Sequence, residues 1–225
     1  IKDDQGSIWI VTGTDGVIKY DPGKKKFRPF MKDTPKDYNL GFSSVWGTFI
    51  DSENNLWIGS SDPGGGVLKM DFINSRTKHY LKNNNDVRYQ YTITEDNNKG
   101  IWIFDDEKSI YLKKKGDDNF RFLGDFDEIK KDSSEYTNYK DFYLTTSGDL
   151  IHGTRKTTWI ADKYGNIKFQ EYKRLTNLIP ETISSFTRKN EEETYVFTKS
   201  SIWLWNEKED KVLDLLLNAK EKFKE

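Results

Sequence analysis

The sequence predicts an all-β protein, a β-propeller made of about five four-stranded blades that form part of a larger propeller, such as a seven-bladed one. Three observations support this fold class. One short motif returns along the chain at spacings of 48, 45, 49 and 44 residues. The runs around it are rich in aromatic and β-branched residues, which strands favour. Helix-type spacing is almost absent before the tail at 213–225.

The recurring motif has a large apolar residue at its centre. It reads GSIWIVT at 6–12, NNLWIGS at 54–60 and KGIWIFD at 99–105, with weaker copies GDLIHGT at 148–154 and EETYVFT at 192–198. A single small sheet cannot bury both of its faces, so the central residues are predicted to pack between neighbouring blades. These predicted core residues are Trp9, Trp57, Trp102, Ile151 and Tyr195.

Turn-forming residues divide each repeat into about four short strands. Gly, Asn, Asp and Pro fill the joints, for example at 12–16, 52–55 and 61–66, because they supply positive φ or side-chain-to-backbone bonds. The first repeat lacks its first strand, since Ile1 stands two residues before Asp3. The predicted repeats are 1–43, 44–88, 89–137, 138–181 and 182–214, followed by a tail at 215–225.

The end of the chain, LDLLLNAKEKFKE, allows three interpretations: a short helix, a strand that continues the last blade, or a frayed end. The small number of repeats likewise leaves two alternatives. Blades are missing from this segment, or the chain forms an unusually short ring.

Composition excludes several functions. The 36 basic residues are balanced by 37 acidic ones, for a formal net charge of −1, so no phosphate-binding surface for nucleic acid is expected. The absence of cysteine excludes disulfides and thiolate metal sites. No run approaches the roughly 20 apolar residues of a membrane helix, so no membrane segment is predicted within the chain.

The repeats resemble those of the two-component-regulator propeller family, whose pattern joins an aspartate turn, a Leu-Trp-Ile-Gly-Thr strand, a Gly-Gly-Leu strand and a tyrosine-aspartate turn. The best copies here contain Asp3, Ile8-Trp9-Ile10 and Tyr20-Asp21-Pro22, then Asp51, Leu56-Trp57-Ile58-Gly59-Ser60 and Gly65-Gly66-Val67-Leu68, then Glu95-Asp96 and Ile101-Trp102-Ile103. The fourth and fifth copies have lost the Asp and the Trp, and they match by spacing.

This resemblance implies the extracytoplasmic sensor of a membrane-spanning histidine kinase, often of the hybrid kind that carries a response regulator. It implies a periplasmic location as part of an inner-membrane protein, and a small-molecule or oligosaccharide ligand. The implied partners are neighbouring domains or a second copy of the parent receptor. The kinase itself is expected outside this segment, because no kinase motif is present in it.

No catalytic residue, metal site or cofactor is predicted. His152 replaces a core aliphatic residue and His79 falls on an outer strand, so neither belongs to a metal-ligand cluster. Asp3, Asp51 and Asp96 are predicted to bond turn amides. The run at 51–55 superficially suggests calcium ligands, but it lacks the Gly and the distal Glu of an EF-hand loop.

Ligand-binding residues are predicted in the joints between repeats and in the loops between second and third strands. In a propeller these segments ring one end of the central channel, where flat aromatic faces and planar polar groups bind sugars. The alternative is that they are ordinary surface residues. The candidates are Tyr38, Trp46, Arg88, Tyr89, Tyr91, Tyr139 and Arg155.

Two other functions compete with the sensor hypothesis. A scaffold that binds a protein would present an exposed blade face. A lyase-type propeller enzyme would need a histidine and an acidic partner at the mouth of the channel, and both histidines map to strands instead.

Overall fold

A computed structural model describes residues 1–31, 39–60, 62, 65–72, 76–82, 92–105, 109–125, 142–153 and 158–217. The chain divides into two compact units. The first comprises residues 1–95 and 99–131, and the second comprises residues 96–98 and 132–225.

The first unit contains three antiparallel sheets, each built from consecutive strands. The first sheet has three strands, and the next two sheets have four each. Their strands are β1 Ile8–Val11, β2 Val17–Asp21 and β3 Lys26–Phe30; β4 Val45–Ile50, β5 Asn55–Ser60, β6 Val67–Asp71 and β7 Arg76–Tyr80; and β8 Thr92–Glu95, β9 Ile101–Phe104, β10 Ser109–Lys113 and β11 Arg121–Asp125.

The second unit contains two four-stranded antiparallel sheets of the same kind. A single helical turn, α1 Lys173–Thr176, lies between them in sequence. The strands are β12 Phe142–Leu144, β13 Leu150–His152, β14 Thr158–Ala161 and β15 Ile167–Glu171; and β16 Ile183–Arg188, β17 Glu193–Thr198, β18 Ile202–Asn206 and β19 Lys211–Asp214. The all-β prediction is confirmed.

An aspartate and a tryptophan join the two sides of a turn in the first two sheets. Asp3 Oδ1 accepts from the Ser7 amide at 2.8 Å, and Asp3 Oδ2 accepts from Trp9 Nε1 at 2.9 Å. Asp51 likewise accepts from the Asn55 amide and from Trp57 Nε1, both at 2.8 Å. The amide bonds match the prediction, whereas the indole bonds were not anticipated.

The core of each unit forms where one sheet covers the next. In the first unit, Trp9 packs in one cluster with residues of the second sheet such as Leu56 and Ile58. Trp57 packs in another with Ile101 and Ile103 of the third sheet. In each pair, the face of one sheet that carries the central residue of the motif packs on the following sheet. It contacts the face of that following sheet that does not carry its own central residue.

The second unit follows the same rule. Ile151 of the fourth sheet is fully buried in a cluster with Val196 and Trp205 of the fifth. Tyr195 differs from the other central residues, because it is half-buried rather than buried. Thr194 and Val196 point to the covered face of β17, so Tyr195 points to the other face, which is less completely covered.

Two glycines at equivalent positions immediately precede the strand that follows the motif. Gly16 has φ +76° and Gly66 has φ +66°, a region that favours glycine. A Cβ on Gly16 would lie 2.3 Å from the Phe30 carbonyl oxygen, and one on Gly66 would lie 2.3 Å from that of Tyr80. The strand pair at each of these positions is therefore too close for any side chain.

The last strand includes the first residues of the tail at 213–225. β19 extends the fifth sheet to Asp214, and residues 215–217 are helical, so the strand interpretation is right for 213–214 and the helix interpretation for the three residues that follow. Asp214 Oδ1 then accepts from the amides of Leu216 and Leu217, both at 2.9 Å. The remainder, at 218–225, lies outside the described residues. In the part of the chain that the structure describes, no helix is long and apolar enough to cross a membrane.

Candidate functional site

Trp46 stands in a β-bulge at the beginning of β4. The pairing of β4 with β5 shifts between Val45 and Gly47, so Trp46 has no partner opposite it. Val45 and Gly47 are buried on either side, while the Trp46 side chain is 58% exposed. A bulge bends the strand and re-aims the side chain at the extra position, and it is common beside functional sites.

A carboxylate fixes the backbone just before this bulge. The Ser43 amide donates to Asp62 Oδ2 at 2.7 Å, and the Ser44 amide donates to Asp62 Oδ1 at 3.2 Å. The Ser43 hydroxyl adds a third bond at 3.1 Å. Asp62 belongs to the loop between β5 and β6, so this loop and the segment leading to Trp46 are held together.

The charge of Asp62 is stabilised by the same contacts. Partial burial favours the neutral acid, but the bonds from Ser43 and Ser44 together outweigh it and hold the Asp62 pKa below its usual value. Asp62 is therefore ionised at neutral pH, and its negative charge is bonded to Ser44, which precedes Trp46 by two residues. From the sequence, 61–66 is predicted only as a turn that joins two strands. Nothing in its residues, SDPGGG, indicates that Asp62 bonds Ser43 and Ser44.

The other predicted ligand residues cannot be placed beside Trp46. Tyr38, Arg88, Tyr89, Tyr91, Tyr139 and Arg155 lie outside the described residues. Trp46 is thus the one candidate whose surroundings the structure shows.

A shallow depression of about 510 Å³ lies in the second unit, and Trp46 is not among its lining residues. Tyr172, Lys173 and Arg174 form one side of it. The Arg174 guanidinium is held by Asp210, with Nη2 at 2.8 Å from Oδ1, and it also donates to the Glu207 carbonyl oxygen at 2.7 Å. Because its arginine is engaged in these structural contacts, this depression is a weaker candidate than the Trp46 bulge.

A buried acid joins the two sheets of the second unit. Glu207 is 3% exposed, and its Oε1 accepts from Tyr143 Oη and Thr194 Oγ1, both at 2.6 Å. Its Oε2 accepts from the Thr146 amide at 2.6 Å. Burial, followed by the bond to Glu207, raises the Tyr143 pKa well above its usual value. All of these partners belong to the second unit and the network joins its two sheets, so it is structural; sequence alone did not reveal it.

The two histidines lie on strands, His79 on β7 and His152 on β13. His79 is half-buried in β7, with its ring edge-on to Phe42 at 6.4 Å between centroids. Burial, and then the charge of Lys82, lowers the His79 pKa. His152 is buried in β13 against Phe142, with ring centroids 4.5 Å apart. Within the described residues, no three His, Cys, Asp or Glu side chains lie close enough to hold a metal ion.

Similar solved structures identify the fold. The chain superposes on virginiamycin B lyase from Staphylococcus aureus with a TM-score of 0.64 at 15% identity, covering 96% of this chain and 68% of that one. The fold is that of a β-propeller. No protein-family model and no curated protein matches the sequence.

Two further propellers are extracellular domains of hybrid two-component systems from Bacteroides thetaiotaomicron. They superpose with TM-scores of 0.62 and 0.60, each at 18% identity. These superpositions cover 96% and 95% of this chain but 26% and 28% of the other chains. The chain therefore spans about a quarter of the length of those extracellular domains. A lyase and domains of two-component systems share this fold, so the fold alone does not select a function.

Proposed function

We propose that this propeller segment senses a ligand, an oligosaccharide, and relays its binding to a histidine kinase outside the segment. One observation carries the proposal: the Trp46 indole is exposed in a bulge beside a carboxylate-fixed loop. It is supported by the extracellular domains of two-component systems among the similar structures. The resemblance of the repeats to two-component-regulator propellers agrees with it.

The exposure of Trp46 distinguishes it from the other tryptophans. Trp9, Trp57, Trp102 and Trp205 are at most 2% exposed and form the sheet cores. Among the tryptophans whose side chains the structure describes, only Trp46 is more than half exposed. The bulge therefore leaves the Trp46 ring accessible to a ligand.

The chemistry of the Trp46 region suits a sugar. The apolar C–H face of a pyranose packs on a flat indole, and its hydroxyls need nearby polar partners. Asp62 is ionised, and it fixes Ser43 and Ser44 in the segment that leads to Trp46. A preformed surface of this kind costs little ordering entropy when a ligand binds.

This function places the segment in a larger receptor. We propose that the chain lies outside the cytoplasm as part of an inner-membrane protein, with neighbouring receptor domains as its partners. Ligand binding then shifts an existing equilibrium between domain arrangements, which requires different affinities for the two states. The family membership suggested by the repeats belongs to the same proposal.

A thermal-shift screen against glycan-derived oligosaccharides tests this function. A ligand at 100 times its dissociation constant stabilises the folded protein by about 2.7 kcal/mol. We expect one sugar class to raise the melting temperature of the wild type, with no product detected by chromatography. Trp46→Ala is expected to abolish the shift without lowering the melting temperature of the free protein, because the ring is exposed.

The matched control is Phe122→Ala, which removes an exposed aromatic side chain, 56% accessible, from β11 in the same unit. It should keep the full shift. A shift that survives in Trp46→Ala would remove this tryptophan from the site. Turnover of the sugar would replace the sensor with an enzyme, and a cooperatively folded protein that no sugar shifts would favour the scaffold function.

A further inference from the structure

Three lysines of the first unit lie together where its second and third sheets meet. Lys69 of β6 pairs with Trp57 of β5 on one side and with Lys78 of β7 on the other. Lys113 of β10 pairs with Ile101 of the Trp57 cluster, and directly paired residues share a face, so Lys113 lies on the face that packs on Trp57. We call Lys69, Lys78 and Lys113 the lysine cluster.

The charges of the lysine cluster repel one another. Lys69 and Lys78 stand directly opposite each other on neighbouring strands, an arrangement that is destabilising for like charges. Lys113 is half-buried, and burial, followed by the charges of Lys69 and Lys78, lowers its pKa. Asp117 and Asp118 oppose this shift, but each of them acts less strongly than either lysine. Positive charge is therefore in excess at this position.

The first sheet shows how an equivalent lysine is neutralised. Lys19, the counterpart of Lys69, pairs with Trp9 in the same row across the strands. Its Nζ lies 3.6 Å from Asp3 Oδ2, and the Asp3 side chain is buried. One carboxylate of the tryptophan turn therefore balances the lysine beside that tryptophan.

The second sheet lacks this ion pair because an amide occupies the carboxylate. Asn55 Nδ2 donates to Asp51 Oδ1 at 3.0 Å and to Asp51 Oδ2 at 2.9 Å, whereas the first sheet has Ser7 at that position. Lys69 instead lies over the Trp57 ring, with Nζ 5.6 Å from its centroid. Among the residues that the structure describes, neither Lys69 nor Lys113 has a carboxylate within ion-pair distance.

We propose that the lysine cluster binds a dianionic oxyanion group, a phosphate or a sulfate, either as the free ion or as an ester on a small molecule. An ammonium group is a compact point charge with three donors, whereas a planar carboxylate is matched best by the fork of an arginine. Three lysines therefore favour a tetrahedral dianion. The bound anion replaces repulsion among the ammonium groups with attraction. This site does not depend on sugar binding at Trp46.

Isothermal titration calorimetry with inorganic sulfate and phosphate, at an ionic strength held constant with sodium chloride, tests the site. We expect both dianions to bind one to one, and acetate to bind at least about tenfold more weakly. Lys69→Gln and Lys113→Gln should each weaken sulfate binding about tenfold, because each removes a charge-assisted hydrogen bond. Glucose 6-phosphate and glucose 6-sulfate identify the source: tighter binding than the inorganic ions indicates an ester ligand, and equal binding indicates the free ion.

Lys19→Gln is the matched control, since Lys19 takes the same place in the first sheet but is paired with Asp3. It should bind sulfate like the wild type. The melting temperature in chloride buffer gives a second measurement that needs no ligand. Lys113→Gln should raise it by about 1–3 °C, because repulsion is relieved. Lys19→Gln should lower it, because the buried Asp3 carboxylate loses its cation.

Four results would overturn the proposal. The first is that neither dianion binds, and the second is that acetate binds as tightly as sulfate. The third is that sulfate binding survives in both Lys69→Gln and Lys113→Gln, or that Lys19→Gln weakens it equally, since total charge then explains the effect. The fourth is a lower melting temperature in Lys113→Gln, which would show that Asp117 and Asp118 already neutralise the cluster. Circular dichroism verifies that each variant is folded.

Discussion

Trp57 donates its indole N–H to Asp51 Oδ2 at 2.8 Å, across the turn that joins β4 to β5. Both residues are buried, at 2% and 7% exposure. The same carboxylate accepts from the Glu53 and Asn55 amides and from the Asn55 side chain. One side chain therefore closes the turn and fixes the ring that covers the third sheet.

Replacing Asp51 with alanine is expected to destabilise the protein by about 2–4 kcal/mol, because a charge-assisted bond is lost and a buried indole donor is left without a partner. Denaturant unfolding measures this loss. Trp57→Phe in the Asp51→Ala background should add less than it does in the wild type, since the donor no longer has its acceptor.

Asp162→Ala is the matched control. Asp162 bonds the amides of Tyr164 and Asn166 and the Asn166 side chain in the same pattern, but it lies in an exposed turn. We expect a much smaller loss of stability. Equal losses at Asp51 and Asp162 would show that the turn, and not the indole bond, accounts for the effect.

Replacing Gly66 with alanine should cost about 2–4 kcal/mol, because it combines a positive φ with a clash against the Tyr80 carbonyl oxygen. Gly116→Ala separates the two terms, since Gly116 has φ +89° and open space around its Cβ position. That variant should lose only about 1 kcal/mol, from the backbone conformation. Unfolding curves for both variants provide the comparison, and similar losses would mean that β6 and β7 separate easily.

Tyr172 makes stability depend on pH in the alkaline range. Burial raises its pKa to about 12 from 10.0, with Arg174 opposing the shift. The folded state therefore holds the proton more tightly, and the resulting stabilisation of about 2–3 kcal/mol is complete below pH 10.0 and is lost as pH rises towards 12.

Tyr172→Phe removes this dependence. We expect the wild type to lose stability relative to the variant as pH rises from neutral to about 12. Only the wild type has a phenol that ionises more easily in the unfolded state than in the folded one. The wild-type minus variant absorbance of tyrosinate, titrated in denaturant, gives the reference pKa. Stability curves that stay parallel over this range would show that the Tyr172 phenol ionises as easily in the folded protein as in the unfolded one.

The sheets were predictable because they repeat. Trp9, Trp57 and Trp102 recur at near-constant spacing with glycines and aspartates between them, and periodic local patterns of this kind directly encode strands and turns. Where the pattern weakened, at Tyr195, prediction identified the strand position but not its burial, which depends on whether another sheet lies opposite.

The site was less predictable because its contacts join residues that no local pattern relates. Trp46 was a candidate on chemical grounds, but the bulge that exposes it arises from the register of β4 against β5. Ser43 and Asp62 are 19 residues apart, and Tyr143 and Glu207 are 64 apart. Such pairs are set by tertiary packing, on which composition and spacing carry no information.

The strand order has a consequence for how the chain folds. Every sheet is made of strands that follow one another directly in sequence, so each ladder closes over a short loop. Closing short loops costs little entropy and keeps the mean sequence separation of contacts low for an all-β protein. Once one repeat has emerged from the ribosome, all the strands of its sheet are therefore available to pair. We expect the sheets to form in order during synthesis, each presenting a surface on which the next assembles.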